Sequence, residues 1–251
     1  MIRKTITYAL LTAFTLLLAV QASVSQESLS AKVGIKIKTI YIDPWYGGEE
    51  KGPLLAQKQY GKDITLKISQ QLEELLKADG FTVYLSRASD QFIPPEQRTF
   101  QSRTRGADLY LSIKVSRKKE NCIRILLSPL EKKKSQPKSN DLKPDELGAQ
   151  LNEILKALEA NSRHEESLAF AAIISIEMRN GRSSDCVRVA REFNYILTNT
   201  EMPAVVVDLG VSSKSAEPYI LDTIFQDEIV RSLAESIKKY AKEREPQSPK
   251  Q

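Results

Sequence analysis

Apolar positions along this 251-residue chain follow several different rhythms. Ile6 to Val20 is a run of 15 residues broken only by Thr and Tyr, after Arg3 and Lys4 and before Gln21-Ala22-Ser23-Val24-Ser25. A basic start, an apolar middle and small residues at the end form the layout of a secretory signal over residues 1–25, with cleavage near 22–25. The run is short for a membrane span of about 20 residues. An uncleaved anchor is the alternative, and membrane contact is expected only in that case. Either way the remainder is expected to work in the periplasm or otherwise outside the cytoplasm.

Beyond residue 33 the pattern alternates between strand and helix. Ile40-Tyr41-Ile42 reads as a short strand ending at Asp43-Pro44, before the loop Trp45-Tyr46-Gly47-Gly48. Ile64, Ile68, Leu72, Leu75 and Leu76 fall at helical spacing between Lys62 and Asp79, and Gly80 is a fitting stop. Phe81, Val83 and Leu85 alternate with Thr82, Tyr84 and Ser86, the pattern of a strand. Leu109–Ile113 and Ile123–Leu127 read as two more strands. Ser128 to Lys143 is rich in Lys, Pro and Ser and reads as an exposed loop. Pro144 opens an amphipathic helix with Leu147, Leu151, Ile154, Leu155 and Leu158 on one face, and a second helix runs from about Glu165 to Met178. The nearly continuous apolar run Ala204–Leu209 has the pattern of a strand buried on both faces. Asp227–Lys242 is a final helix, and the polar tail 243–251 is expected to be disordered. The class predicted is α/β: a single three-layer domain over 33–242, with a mostly parallel central sheet, flanking helices and an inserted amphipathic helix within about 128–164.

Composition narrows the chemistry. With 41% hydrophobic and 27% charged residues, collagen-like and largely disordered chains are excluded, and with two cysteines so is a disulfide scaffold. Cys122 and Cys186 either pair in an oxidising space or stay as two buried thiols. There is one histidine, His164. A two-histidine zinc hydrolase needs another, and Ser-His-Asp chemistry would have to run through His164 alone.

Four segments carry a resemblance. They are Ile42-Asp43-Pro44-Trp45-Tyr46-Gly47-Gly48; Gly61-Lys62-Asp63-Ile64-Thr65-Leu66, with Arg87, Asp90 and Arg98 following in register; Ala107-Asp108-Leu109-Tyr110-Leu111-Ser112-Ile113-Lys114; and Met202 to Gly210. In this order and spacing they resemble the zinc-dependent N-acetylmuramoyl-L-alanine amidases of bacterial cell walls, the amidase_3 family, over roughly residues 38–240. The resemblance implies that family's α/β fold. It also implies a zinc held by a His in the first loop, a Glu opening the first helix and a His after Ser-Ile, with a Glu on the last buried strand serving the attacking water. The helix near 144–160 resembles an insertion that in some members covers the active site until a partner moves it.

The matching positions here are Tyr46, Gly61, Lys114 and, for the catalytic Glu, Asp208. Gly61 has no side chain, Lys114 is a cation, and Tyr46 would bind metal only as a phenolate, against a phenol pKa of about 10. A catalytic zinc needs three protein ligands and an open position, so by residue type no zinc cofactor is expected. His164 beside Glu165 and Glu166 is either a weak metal site or a solvated histidine between two helices. Lys114 either pairs with Asp208, with Tyr46 donating to the carboxylate, or points to solvent.

The formal net charge is +5, and Pro94–Lys119 holds Arg98, Arg103, Arg105, Lys114, Arg117, Lys118 and Lys119 against Glu96 and Asp108. Such a basic face either is a solvated surface or attracts the negative groups of stem peptides and teichoic-type polymers. Trp45 either packs over the vacated metal position or offers a stacking platform for a sugar. Trp45, Arg98, Arg103 and Lys114 are thus the candidate substrate-binding residues. Nucleic acid is not expected, since the aromatic interleaving of a single-strand binder is missing.

Three readings follow. The chain is a catalytically inactive member that binds peptidoglycan or regulates an active cell-wall hydrolase. Or it hydrolyses the glycan–peptide amide through a rebuilt site. Or it is an interaction module with no wall affinity. The ligand losses favour the first.

Overall fold

The computed structural model describes residues 36–119, 121–129, 144–181, 186–212 and 217–245. The expected signal, residues 130–143 of the expected loop and the end of the tail lie outside them. Within the unit Lys36–Arg244, the strands are β1 (Thr39–Pro44), β2 (Thr82–Leu85), β3 (Leu109–Arg117), β4 (Cys122–Leu127), β5 (Val187–Arg191) and β6 (Ala204–Val211). The helices are α1 (Gly61–Ala78), α2 (Pro95–Thr104), α3 (Pro144–Asn180), α4 (Tyr195–Asn199), α5 (Glu217–Leu221) and α6 (Thr223–Arg244). They form one sheet in the order β2-β1-β3-β6-β4-β5. All neighbouring strands run parallel except β4 against β6.

Strand periodicity of two divides the sheet into two faces. Ile40, Ile42, Leu109, Leu111, Ile113, Val205, Val207 and Leu209 point to the first, where α1, α3 and α6 bury Ile68, Leu72, Phe170, Ile174, Ile229 and Leu233 in the larger core. Each fully buried Leu or Ile there contributes about 1.5–3 kcal/mol. The second face carries Tyr41, Tyr110, Leu126 and Val206 under Ile196 and Leu197 of α4. This is the expected three-layer arrangement.

Several elements depart from the sequence reading, which included neither β5 nor the short helices α4 and α5. Residues 144–180 form one 37-residue helix rather than two. Asn161-Ser162-Arg163-His164 is polar but holds no Pro or Gly to break the turn. On its amino-terminal half, Leu155 and Leu158 are 47% and 59% exposed, so part of the predicted apolar face is uncovered among the described residues. Leu147, Leu151 and Ile154 lie outside the described side chains. Helix α2 was not predicted, because its buried residues are Arg98 and Ser102 rather than an apolar stripe. Glu243 and Arg244 belong to the last turn of α6, not to the tail. Cys122 and Cys186 are joined in a disulfide that ties the start of β4 to the residue before β5. Among the described residues no helix is long and apolar enough to cross a membrane.

Candidate functional site

Strands β1, β3 and β6 run the same way, so the loop after Pro44, Lys114 and Asp208 gather toward their carboxyl ends, where open α/β sheets bind ligands. Lys114 and Asp208 are register partners. The loop after β1 adds one more rung, with Trp45 N donating to Ile113 O at 2.9 Å.

Beneath that loop is a buried polar scaffold. The Asp43 carboxylate, fully buried, accepts from Ser86 Oγ at 2.6 Å, Arg98 at 2.7 Å and Ser112 Oγ at 2.9 Å. Arg87 donates to the carbonyls of Pro44, Trp45 and Lys62, joining the loop to the start of α1. Three acceptors on one guanidinium fix both segments at once. Arg98 is therefore no substrate cation: it is 3% exposed and holds Asp43. Arg103 is exposed, but it pairs with Glu201 at 3.0 Å, before β6 begins and away from Asp208 further along that strand.

Tyr46 has φ 70°, a left-handed conformation uncommon for a bulky side chain. Its hydroxyl donates to Val115 O at 2.9 Å, and its ring lies against Gly52, where a Cβ would come within 2.7 Å of it. Burial, reinforced by the Asp208 and Glu50 carboxylates, pushes the phenol well above its ordinary value, so a phenolate is even less accessible. Gly61 N donates to Pro53 O, and a Cβ at Gly61 would meet Pro53 Cδ at 2.7 Å. Arg117 holds the same segment by donating to Leu54 O at 2.6 Å. The chain around 52–54 thus occupies the space that a ligand side chain from position 61 would need.

Of the two arrangements expected for Lys114, the pairing with Asp208 is not the one seen. The Lys114 ammonium lies over the Trp45 ring, 4.8 Å from the centroid, in a cation–π contact. Nor does Tyr46 donate to Asp208. That buried carboxylate accepts instead from Ser116 Oγ at 2.6 and 2.8 Å, with Arg124 at 3.5 Å and Lys118 at 4.0 Å. Burial raises the Asp208 pKa, while the Ser116 hydrogen bonds and the Lys114, Lys118 and Arg124 charges oppose the rise.

Tyr46, Gly61 and Lys114 bring no imidazole and no carboxylate to the three positions that the resemblance gives to zinc ligands. Among the described residues no group of three or more His, Cys, Asp or Glu could hold a metal ion. His164 sits within α3, not between helices, and its Nε2 has no partner among the described residues. Burial and the Arg191 charge lower its pKa. Glu166, its expected co-ligand, is taken by Arg244 at 2.5 Å and Tyr240 at 2.8 Å.

Sequence reasoning missed Ser116, Lys118 and Arg124 as neighbours of Asp208. Arg124 carries a signal, a lone charge between the apolar residues of Cys122-Ile123-Arg124-Ile125. Which carboxylate it meets depends on the β4–β6 register.

A family model described as N-acetylmuramoyl-L-alanine amidase matches residues 40–239. "Uncharacterized protein YqiI" of Bacillus subtilis is 24% identical over 206 residues, covering 81% of this chain and 82% of that one. "Probable cell wall amidase LytH" of Staphylococcus aureus is 25% identical over 213 residues, covering 81% of this chain but 58% of its own length. The solved N-acetylmuramoyl-L-alanine amidase AmiC2 of Nostoc punctiforme superposes with a TM-score of 0.62 at 17% identity, over 82% of this chain and 97% of that one, a likeness of fold. With the model match spanning most of the domain and the fold agreeing, this chain belongs to the N-acetylmuramoyl-L-alanine amidase family, amidase_3.

Proposed function

We propose that this chain acts outside the cytoplasm as a peptidoglycan-binding member of the family that uses no zinc and does not hydrolyse the glycan–peptide amide. One observation carries the reading. Pro53 lies against Gly61 so closely that a side chain there would need backbone movement. A lost ligand could in principle be replaced from elsewhere, but this position is filled. The engagement of Tyr46 with Val115 O and of Lys114 with Trp45 supports the same view. Asp208, at the family's catalytic position, is held by the Ser116 hydroxyl and flanked by Arg124 and Lys118.

The signal-like residues 1–25 and the cell-wall names of the family and of LytH support the extracytoplasmic location and peptidoglycan as the partner. The test is co-sedimentation of the full chain with purified sacculi, with released peptide measured in the supernatant. Retention on sacculi without release supports the reading. Zinc-dependent release would show an active amidase, and absence from the pellet would leave an interaction module.

A further inference from the structure

Strand β2 ends the sheet, and among the described residues no strand pairs with its outer side. Thr82 N donates to Lys38 O and Ser86 N to Ile42 O, so the even residues of β2 spend their backbone groups on β1. By the period of two, Val83 and Leu85 turn their N–H and C=O groups to the free edge. Neither finds a partner there among the described residues. Natural edges are commonly guarded by charges, prolines or bulges. Thr82-Val83-Tyr84-Leu85 holds no charge and no Pro, and its register with β1 is unbroken. At the opposite edge of the sheet, by contrast, the outward carbonyl of Val187 on β5 is taken by Arg179 at 2.8 Å.

Alongside this edge runs a groove of about 560 Å³ between β2 and α2. Its floor is Tyr84 with its register partner Tyr41, and its walls carry Gln91, Gln101, Thr104 and Arg105. The Tyr41 hydroxyl donates to Gln101 Oε1 at 2.8 Å and holds α2 over β1, while Tyr84 stays half-buried at the rim. The exposed Arg105 guanidinium lies over the Tyr84 ring, 4.9 Å from its centroid, and has no carboxylate partner among the described residues. No Asp or Glu lines the groove among those residues. Its other arginine, Arg87, is spent on the carbonyls of Pro44, Trp45 and Lys62. Strand β1 separates the groove from Lys114 on β3 and Asp208 on β6.

We propose that this edge docks an extended segment of a partner protein, which adds to β2 as a further strand and sets an Asp or Glu on Arg105. An added strand would lie about 4.8 Å from β2, with alternate side chains on the face of Tyr84, where the groove receives them. Backbone bonds to Val83 and Leu85 supply affinity, and the groove selects the side chain. β2 has four residues, which limits the paired segment to about that length. The stack on Tyr84 fixes the plane of the Arg105 guanidinium, and a carboxylate accepts from such a fork in two-pronged geometry. A groove with an unpaired cation and no acid of its own is complementary to an acidic segment. The proposal is independent of sacculus binding and of zinc.

The probe is the blocked peptide acetyl-Thr-Val-Glu-Val-Thr-amide, titrated into the full chain and followed by amide NMR and hydrogen exchange. Saturable shifts with slowed exchange are expected at the Val83 and Leu85 amides. Replacing Glu by Gln in the peptide should weaken binding at least threefold. Arg105→Gln should weaken the Glu peptide equally, leaving affinity for the Gln peptide and the melting temperature unchanged. N-methylation of one alternate set of peptide amides should abolish binding, and methylation of the other set should leave it intact. No saturation, binding without protection of Val83 and Leu85, the same effect from both methylated sets, or parental affinity in Arg105→Gln would each overturn the proposal. So would the same protection from inorganic phosphate, which marks a bare anion pocket. Protection that grows with protein concentration without peptide would assign the edge to a second copy instead and overturn it too.

Discussion

Pro53 Cδ lies 2.7 Å from the point where a Cβ on Gly61 would stand. The contact joins the loop after β1 to the first turn of α1, and proline cannot rotate its ring aside. Gly61→Glu, the residue that the resemblance gives to this position, should therefore destabilise the fold by about 1–3 kcal/mol, the usual cost of overpacking. Urea denaturation checks this. A variant as stable as the parent would show that the segment around Pro53 yields freely.

Asp43 and Arg98 form a buried ion pair under the same loop, 0% and 3% exposed. Removing one partner leaves an uncompensated charge, so Arg98→Met should cost about 3–5 kcal/mol in chemical denaturation. An effect below about 1 kcal/mol, the scale of a surface pair, would mean that Ser86 and Ser112 suffice to hold Asp43.

Asp208 should leave a signature in the pH dependence of stability. Burial raises its folded-state pKa above the ordinary carboxylate value. The folded protein then binds this proton more tightly than the unfolded chain does. Its contribution is fully present below the ordinary value and is lost as pH rises through the folded pKa. Asp208→Asn stays neutral, so the stability of the variant relative to the parent should improve as pH is raised from 4 to 7. A difference that is flat, or that moves the other way, would show that Ser116 and the surrounding cations outweigh burial.

The Cys122–Cys186 disulfide closes a sequence separation of 64 residues. A disulfide typically contributes about 2–4 kcal/mol. The double variant Cys122→Ser/Cys186→Ser should lose that amount, and a reducing agent should lower the melting temperature of the parent but not of the variant.

The central strands and the α1 and α6 helices were legible because their apolar residues follow the period of the element that buries them. Helix α2 was not, because it docks through Arg98 on Asp43. The unbroken course of α3 past His164 was missed because a run of polar residues reads as a boundary even where no Pro or Gly breaks the helix. At the site, the motif residues pointed to Tyr46, Gly61, Lys114 and Asp208 as one group. Their partners were not legible. Pro53 reaches Gly61 through a loop closure, and Arg124 reaches Asp208 through antiparallel pairing across the sheet. Both are contacts between segments that no local pattern encodes.

The central claim is that the family's metal site is closed in this chain, and zinc itself tests it most directly. The full chain is equilibrated with excess Zn²⁺, dialysed, and measured for bound metal while peptidoglycan is assayed for released peptide. The account predicts no stoichiometric zinc and no release, with the same outcome for Tyr46→His/Lys114→His, because position 61 stays blocked by Pro53. One zinc per chain with peptide release from the unmodified protein would contradict it.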